Sequence, residues 1–178
     1  DFTESKSIDI NIPNSINYKE LIDNTSDQIA FEQTDFDHPV YIMYSSGTTG
    51  IPKCIVHGAG GTLLQHFKEH VLHTDLKRDD VVTYFTTCGW MMWNWLVGVL
   101  QTGAAILLYD GSPIYPAKDV LWKLVENEKI SVFGTSPKYL SMIEKSGYIP
   151  KDNCDLSTLK TILSTGSPLS DENFNWVY

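Results

Sequence analysis

The stretch from Val40 to His57 constrains the fold more than any other part of the chain. The apolar run Val40-Tyr-Ile-Met43 reads as a strand, and the β-prone run Cys54-Ile-Val-His57 reads as a second. Between them lies Tyr44-Ser-Ser-Gly-Thr-Thr-Gly-Ile-Pro-Lys53, a short loop pinned at both ends. Ser45, Ser46, Thr48 and Thr49 supply hydroxyls. Gly47 and Gly50 permit positive φ and close approach of the main chain to a ligand. Successive N–H groups in such a turn can form a concave anion nest, and Lys53 adds a positive charge at its mouth. These parts suit a polyphosphate, most simply a nucleotide triphosphate. The loop is not a Walker loop, which needs Gly-Lys-Ser/Thr opening a helix. Here Pro52 precedes the lysine and Cys54 follows it. A Ser/Thr/Gly linker has the same composition; the flanking strands and the Pro-Lys ending favour the phosphate loop.

Apolar runs alternate with helical periodicity beyond this loop. Strands are expected at Val81 to Phe85, Ala104 to Tyr109, Ile130 to Gly134 and Leu159 to Ser164. Helices are expected after Gly61, with Leu64, Phe67 and Val71 on the apolar face, and from Trp90 to Gln101, ended by Gly103. Others are expected from Pro116, from Ser136 to about Lys145 with Gly147 just past the end, and from Ser170. This alternation predicts an α/β fold of layered, mostly parallel sheets with flanking helices. Residues 1–39 read as a connector, with Ile8, Ile10 and Ile12 alternating as a weak strand signal and a short helix over Lys19 to Ile22. Residues 40–178 read as part of one domain, truncated at the C-terminus, because Asn175-Trp-Val-Tyr178 falls in a helical stretch without a cap or breaker.

With 42% hydrophobic and 12% aromatic residues the chain can bury a core. Its net charge of −9 argues against a general nucleic-acid or anionic-membrane surface. No apolar stretch is long enough to span a bilayer, and three widely spaced cysteines favour a reducing compartment. A cytosolic location is the expectation, with small molecules as partners and neither nucleic acid nor membrane.

The loop resembles the phosphate-binding signature of the adenylate-forming superfamily, which includes acyl-CoA synthetases, luciferases and peptide-synthetase adenylation domains. A second stretch, Phe85-Thr-Thr-Cys-Gly-Trp-Met-Met-Trp-Asn-Trp95, resembles the acyl-pocket segment of the acetoacetyl-CoA synthetase family; Leu108-Tyr-Asp-Gly-Ser-Pro113 and Asp35-Phe-Asp-His-Pro39 are similar to it too. The resemblance covers the chain from about residue 31 onward. It implies part of the N-terminal domain of an ATP-dependent ligase that activates acetoacetate as an acyl-adenylate and passes it to coenzyme A. It implies that Ser45, Ser46, Gly47, Thr48, Thr49, Gly50 and Lys53 hold the phosphates, and that Gly166-Ser167-Pro168 lies against the adenine. Trp90, Met91, Met92 and Thr165 would line the acyl pocket, with Met91 and Met92 near coenzyme A. Without the resemblance, the Trp90 to Trp95 cluster reads as core and Gly166-Ser-Pro168 as a turn; Trp93 and Trp95 are read as core in either case. The family's Mg²⁺ ligands for ATP, its ribose-binding aspartate and its catalytic lysine are expected beyond Tyr178, so no catalytic residue and no metal ligand is assigned here. Another short-chain acyl-CoA synthetase, such as an acetyl-CoA synthetase, is the alternative within the family, and a non-catalytic nucleotide-binding module is one outside it.

One rival comes from another class. His66-Phe-Lys-Glu-His70 has the H-x-x-E-H pattern of inverted zinc peptidases, and α-helical spacing would stack His73 on the same face. The expectation is instead a polar, solvated face opposite Leu64, Phe67 and Val71, because no motif marks a further acidic ligand.

Overall fold

A computed structural model describes residues 12–23, 28–45 and 50–178. Ile8 and Ile10 of the weak strand signal, and Ser46, Gly47, Thr48 and Thr49 of the loop, lie outside the described residues. The chain divides into two units, residues 1–34 and 35–178. In the first, α1 (Tyr18–Asp23) is exposed on every side and starts where Asn17 Oδ1 accepts the Lys19 N–H at 2.9 Å. Ile12 belongs to no strand.

The second unit opens with an antiparallel hairpin of β1 (Pro39–Ser45) and β2 (Lys53–Gly58), in which Tyr41 faces His57, Met43 faces Ile55 and Ser45 faces Lys53. Helix α2 (Ala59–Lys68) follows directly and runs into a π-helical turn, Glu69–His73. Four strands, β3 (Val81–Tyr84), β4 (Ala105–Leu107), β5 (Val132–Thr135) and β6 (Thr161–Ser164), make a parallel sheet in the order β4-β3-β5-β6. The parallel α/β architecture expected from alternating strands and helices is the one observed.

Alternation along β5 shows how the sheet is covered on both faces. Val132 packs with Val82, Tyr84, Trp95, Leu96 and Val99, so that face meets α3 (Met91–Gly98) and the 3₁₀ turn Val99–Thr102. Phe133, one residue on, points the other way among Leu121, Trp122, Val125, Tyr139, Leu140 and Ile143, which come from α4 (Val120–Asn127) and α5 (Pro137–Lys145). Each large apolar side chain buried in these layers contributes roughly 1.5–3 kcal/mol. Gly134 leaves room for a ring: a Cβ there would meet Tyr84 Cδ2. Tyr84 can then donate its O–H to the Thr135 carbonyl at 3.1 Å.

Local signals placed several ends correctly. Ser136 Oγ accepts the Tyr139 N–H at 3.3 Å, and Ser170 Oγ accepts the Asn173 N–H at 3.2 Å at the start of α7 (Asp171–Val177). Gly103, at φ 82°, and Gly147, at φ 71°, supply the left-handed residues that end their helices. The short α6 (Pro150–Asn153) carries no signal that was read from the sequence. Pro116 does not open a helix: a turn closed by the Val120 N–H on the Ala117 carbonyl (3.2 Å) comes first, and α4 starts at Val120.

The face of α2 is a second correction. His66 and His70 are 5% and 0% exposed, whereas Leu64 and Phe67 are 62% and 47% exposed. The histidine side packs on α3, and the side read as the apolar stripe faces outward. The reason is close packing: Gly98 of α3 has no Cβ, and the two imidazoles fill the space beside it. His73 also leaves the His66/His70 face. The Thr74 N–H bonds the Glu69 carbonyl five residues back (2.9 Å), so the 3.6-residue period that would stack i, i+4 and i+7 is broken there.

Candidate functional site

The sheet order places a topological switch beside β3, whose two neighbours β4 and β5 lead the chain away in opposite directions. In open parallel sheets, ligands collect outside the strands' carboxyl ends at such a point. The segments after β3, β5 and β6 all arrive there: Phe85 to Trp90, Ser136, and Thr165 to Pro168.

Among the described residues, Trp90 to Met92 and Thr165 to Pro168 belong to the segments after β3 and β6, whereas Ser45, Gly50 and Lys53 belong to the separate hairpin. Ser45 ends β1 and Lys53 begins β2, so the two stand across the hairpin from one another at the mouth of the loop. Lys53 is exposed, and Gly50 sits at φ 83°, the left-handed backbone that its glycine permits. Those features fit a loop that presents main chain and one cation to phosphate. Thr165, Gly166, Ser167 and Pro168 form an exposed turn after β6, with Gly166 at φ 101° and the Thr165 N–H reaching the Thr135 carbonyl at 3.4 Å. Trp90 precedes α3 in extended conformation, 69% exposed, and Met91 is also exposed.

A cavity of about 240 Å³ lies at this end of the sheet, lined by Glu69, His73, Thr74, Tyr84, Met92, Trp95, Leu163, Ser164 and Thr165. It brings Met92 of α3 together with Thr165 after β6, although 73 positions separate them (165 minus 92). Trp90 and Met91 do not line it. Trp95 is buried as expected, and Trp93 lines a separate hollow with Phe85, Tyr109 and Asp110. Asn94, buried in the middle of α3, points its amide Nδ2 at Met43 Sδ (3.1 Å), tying the helix to the hairpin that carries the loop.

Glu69, His73 and Thr74 were not assigned to a pocket by sequence. Glu69 belongs to the H-x-x-E-H run and His73 was placed beside it by helical spacing, but the group separates, and Thr74 carried no signal. His66 and His70 turn inward, their rings 5.9 Å apart, while Glu69 and His73 reach the cavity. Glu69 Oε1 lies 3.8 Å from His73 Nδ1 and 3.3 Å from Lys68 Nζ, and accepts from Gln65 Nε2 at 3.0 Å. Among the described residues, no group of three or more His, Cys, Asp or Glu side chains is arranged to hold a metal ion.

Burial sets the electrostatics behind the cavity. Burial above all, and then the neighbouring His66, push the His70 imidazole down to about 4, against weaker opposing pulls from the Trp95 backbone and Glu69. Burial drives the Tyr84 hydroxyl up to about 12, so Tyr84 stays a neutral donor to Thr135. No helix among the described residues is long and apolar enough to cross a membrane.

Known proteins share this sequence and geometry. The chain is 50% identical to the acetoacetyl-CoA synthetase of Gallus gallus over 178 residues, covering 97% of this chain and 27% of the relative. It is 47% identical over 165 residues to malonamoyl-CoA synthetase vrtB of Penicillium aethiopicum, covering 85% of this chain and 23% of that protein. The solved acetoacetyl-CoA synthetase from Streptomyces lividans superposes with a TM-score of 0.82 at 44% identity, over 89% of this chain and 24% of that one. The chain therefore spans about a quarter of the length of the proteins it matches. The family described as AMP-binding enzyme matches residues 4–178, and this chain belongs to that family.

Proposed function

We propose that this chain is part of an ATP-dependent acid–thiol ligase whose acid is acetoacetate and whose thiol is coenzyme A. The observation that carries the reading is the cavity at the switch point. Met92 and Thr165, assigned to an acyl pocket by motif, meet there in a chain about half identical to proteins named acetoacetyl-CoA synthetase. Residues 40–178 would be part of the adenylating domain and residues 1–39 its connector, in a cytosolic enzyme that binds neither nucleic acid nor membrane.

The reaction would run in two steps. The acid carboxylate attacks the α-phosphorus of ATP, forming an acyl-adenylate and releasing pyrophosphate. The thiol sulfur of coenzyme A then attacks the acyl carbon, and AMP leaves. In this chain the loop from Ser45 through Ser46, Gly47, Thr48, Thr49 and Gly50 to Lys53 would hold the β- and γ-phosphates, with the lysine offsetting charge on the departing pyrophosphate. Gly166, Ser167 and Pro168 would lie along the adenine. Thr165, adjacent to them, would meet the carboxylate end of the acid, and Met92 would shape the pocket beyond it. Trp90 and Met91, exposed in this structure, would stand at the coenzyme A side. Mg²⁺ supplied with ATP would neutralise phosphate charge, through ligands outside these residues.

The cavity is small beside the ~300–1,000 Å³ of drug-sized pockets, which suits a short acid. The test is acetoacetate-dependent ATP–pyrophosphate exchange, followed by coenzyme A-dependent AMP formation, by the full-length protein that carries this chain. Exchange with acetoacetate is expected. Exchange driven only by acetate, or by no short acid, would overturn the assignment.

A further inference from the structure

Acetoacetate differs from butyrate by one carbonyl oxygen at C3, and an apolar pocket reads such a difference weakly. Strong preference needs a donor aimed at that oxygen. The cavity wall narrows the candidates. Met92 and Leu163 have no donor. Ser164 follows Leu163 on β6, and strand alternation turns its hydroxyl to the other face of the sheet, the side of Ile162. The Tyr84 O–H is committed to the Thr135 carbonyl, and the Thr74 hydroxyl donates to the Glu69 carbonyl at 3.0 Å. Thr165 borders the segment proposed for adenine, the end where the carboxylate must meet phosphate. Trp95 is packed edge-on against the buried His70 ring, with centroids 4.4 Å apart.

His73 differs from all of these. It lines the cavity, its Nδ1 is 3.8 Å from Glu69 Oε1, and no other described contact claims its ring. Glu69 is itself held by Lys68 and by Gln65. The π turn that carries both residues is an independent mark, since such turns are uncommon and concentrate at functional sites.

We infer that His73, oriented by Glu69, is the hydrogen-bond donor that selects a 3-oxo acid in this pocket. The inference rests on the acyl-ligase reading above and adds the recognition of the ketone to it. Nε2–H would donate to the C3 oxygen, while Nδ1 faces the Glu69 carboxylate at 3.8 Å, too long for a hydrogen bond but close enough for its charge to orient the ring. Glu69 is then a positioning residue. Its carboxylate also disfavours binding the acid reversed, with its own carboxylate against the π turn. The relative named for malonamoyl-CoA bears on the same point, because malonamate also carries a carbonyl oxygen at C3.

The experiment compares specificity constants for acetoacetate and butyrate in ATP–pyrophosphate exchange by the full-length protein, with four forms: unmodified, His73→Phe, His73→Gln and Glu69→Gln. His73→Phe should lower the acetoacetate-to-butyrate ratio by about tenfold or more, through the acetoacetate constant alone, as expected when a site loses the donor to a substrate oxygen. His73→Gln, which keeps an N–H donor, should hold the ratio within about threefold of the unmodified protein. Glu69→Gln should lower the ratio in the same direction as His73→Phe. An unchanged ratio in His73→Phe overturns the inference, as does an equal loss for both acids, which would mark a structural role. If the unmodified protein activates neither acid, the ligase reading itself has failed, and this inference with it. If it activates both while the ratio ignores His73, only this inference falls.

Discussion

A Cβ on Gly98 would lie 2.6 Å from Nδ1 of His66 and 3.1 Å from Cε1 of His70. Helices α2 and α3 approach closely because this one position in α3 carries no side chain. The imidazole rings are set well inside their helix and cannot swing clear as the end of a lysine could. Gly98→Ala should therefore destabilise despite alanine's better helix propensity, by about 1–3 kcal/mol as an overpacked contact. The measurement is the thermal midpoint of the full-length protein, which should drop. A rise of the size expected from propensity alone would show that the helices are free to move apart.

The pH dependence of stability should carry the signature of His70. Its folded imidazole sits at about 4, below the ordinary 6.5, chiefly through burial and then through His66. Between those two values the unfolded chain binds the proton and the folded chain does not. Stability from this group is therefore complete above about 6.5 and is lost as pH falls toward 4, by roughly 3 kcal/mol in all. His66 is lowered as well, again mainly by burial, so it adds to the trend. The unfolding midpoint should fall between pH 7 and pH 5, and His70→Leu should flatten that slope. The same slope in the variant would assign the acid sensitivity to other groups.

These histidines also show where sequence stops being legible. The apolar strand runs from Val81 onward, the Ser136 and Ser170 caps and the Gly103 and Gly147 helix ends are local signals, read within a few residues, and all of them appear in the structure. The orientation of α2 is not local. Apolar periodicity put Leu64 and Phe67 inside, but the packing partner of this helix is the gap at Gly98, which takes a planar ring. The π turn then rotates Glu69 and His73 away from His66 and His70, a change of period that no pattern of residue types announces. The cavity shares that fate. Met92 and Thr165 could be chosen by motif, but Glu69, His73 and Tyr84 join them only through the order of the strands.

Lys53 faces Ser45 at the open end of the hairpin, where the loop leaves and re-enters. Removing its charge should act on the step that expels pyrophosphate. Lys53→Ala in the full-length protein should slow ATP–pyrophosphate exchange with acetoacetate by on the order of tenfold or more, toward the ~10²–10³ reported for loss of a single preorganised donor. Because the residue is exposed at a strand end, the unfolding midpoint should change little. An unchanged exchange rate would take Lys53 out of the chemistry.

Adjacent on α3, Met91 and Met92 give the sharpest contrast in the proposed acyl pocket. Both match the resemblance equally, yet Met92 lines the cavity with Thr165 and Met91 is exposed outside it. A thioether chain fills space without fixing a shape, so shortening Met92 should enlarge the pocket rather than remove a specific bond. Met92→Thr should shift preference toward longer acids, with pentanoate gaining on butyrate by roughly tenfold, the lower part of the range for one methylene in an apolar pocket. Met91→Val should leave that ratio nearly unmoved and act, if at all, on the KM for coenzyme A. Specificity constants for acetate, butyrate and pentanoate separate the two residues. Equal shifts from both variants would mean that α3 rotates on binding, and no shift from Met92→Thr would make this methionine a packing residue and leave the acyl pocket elsewhere.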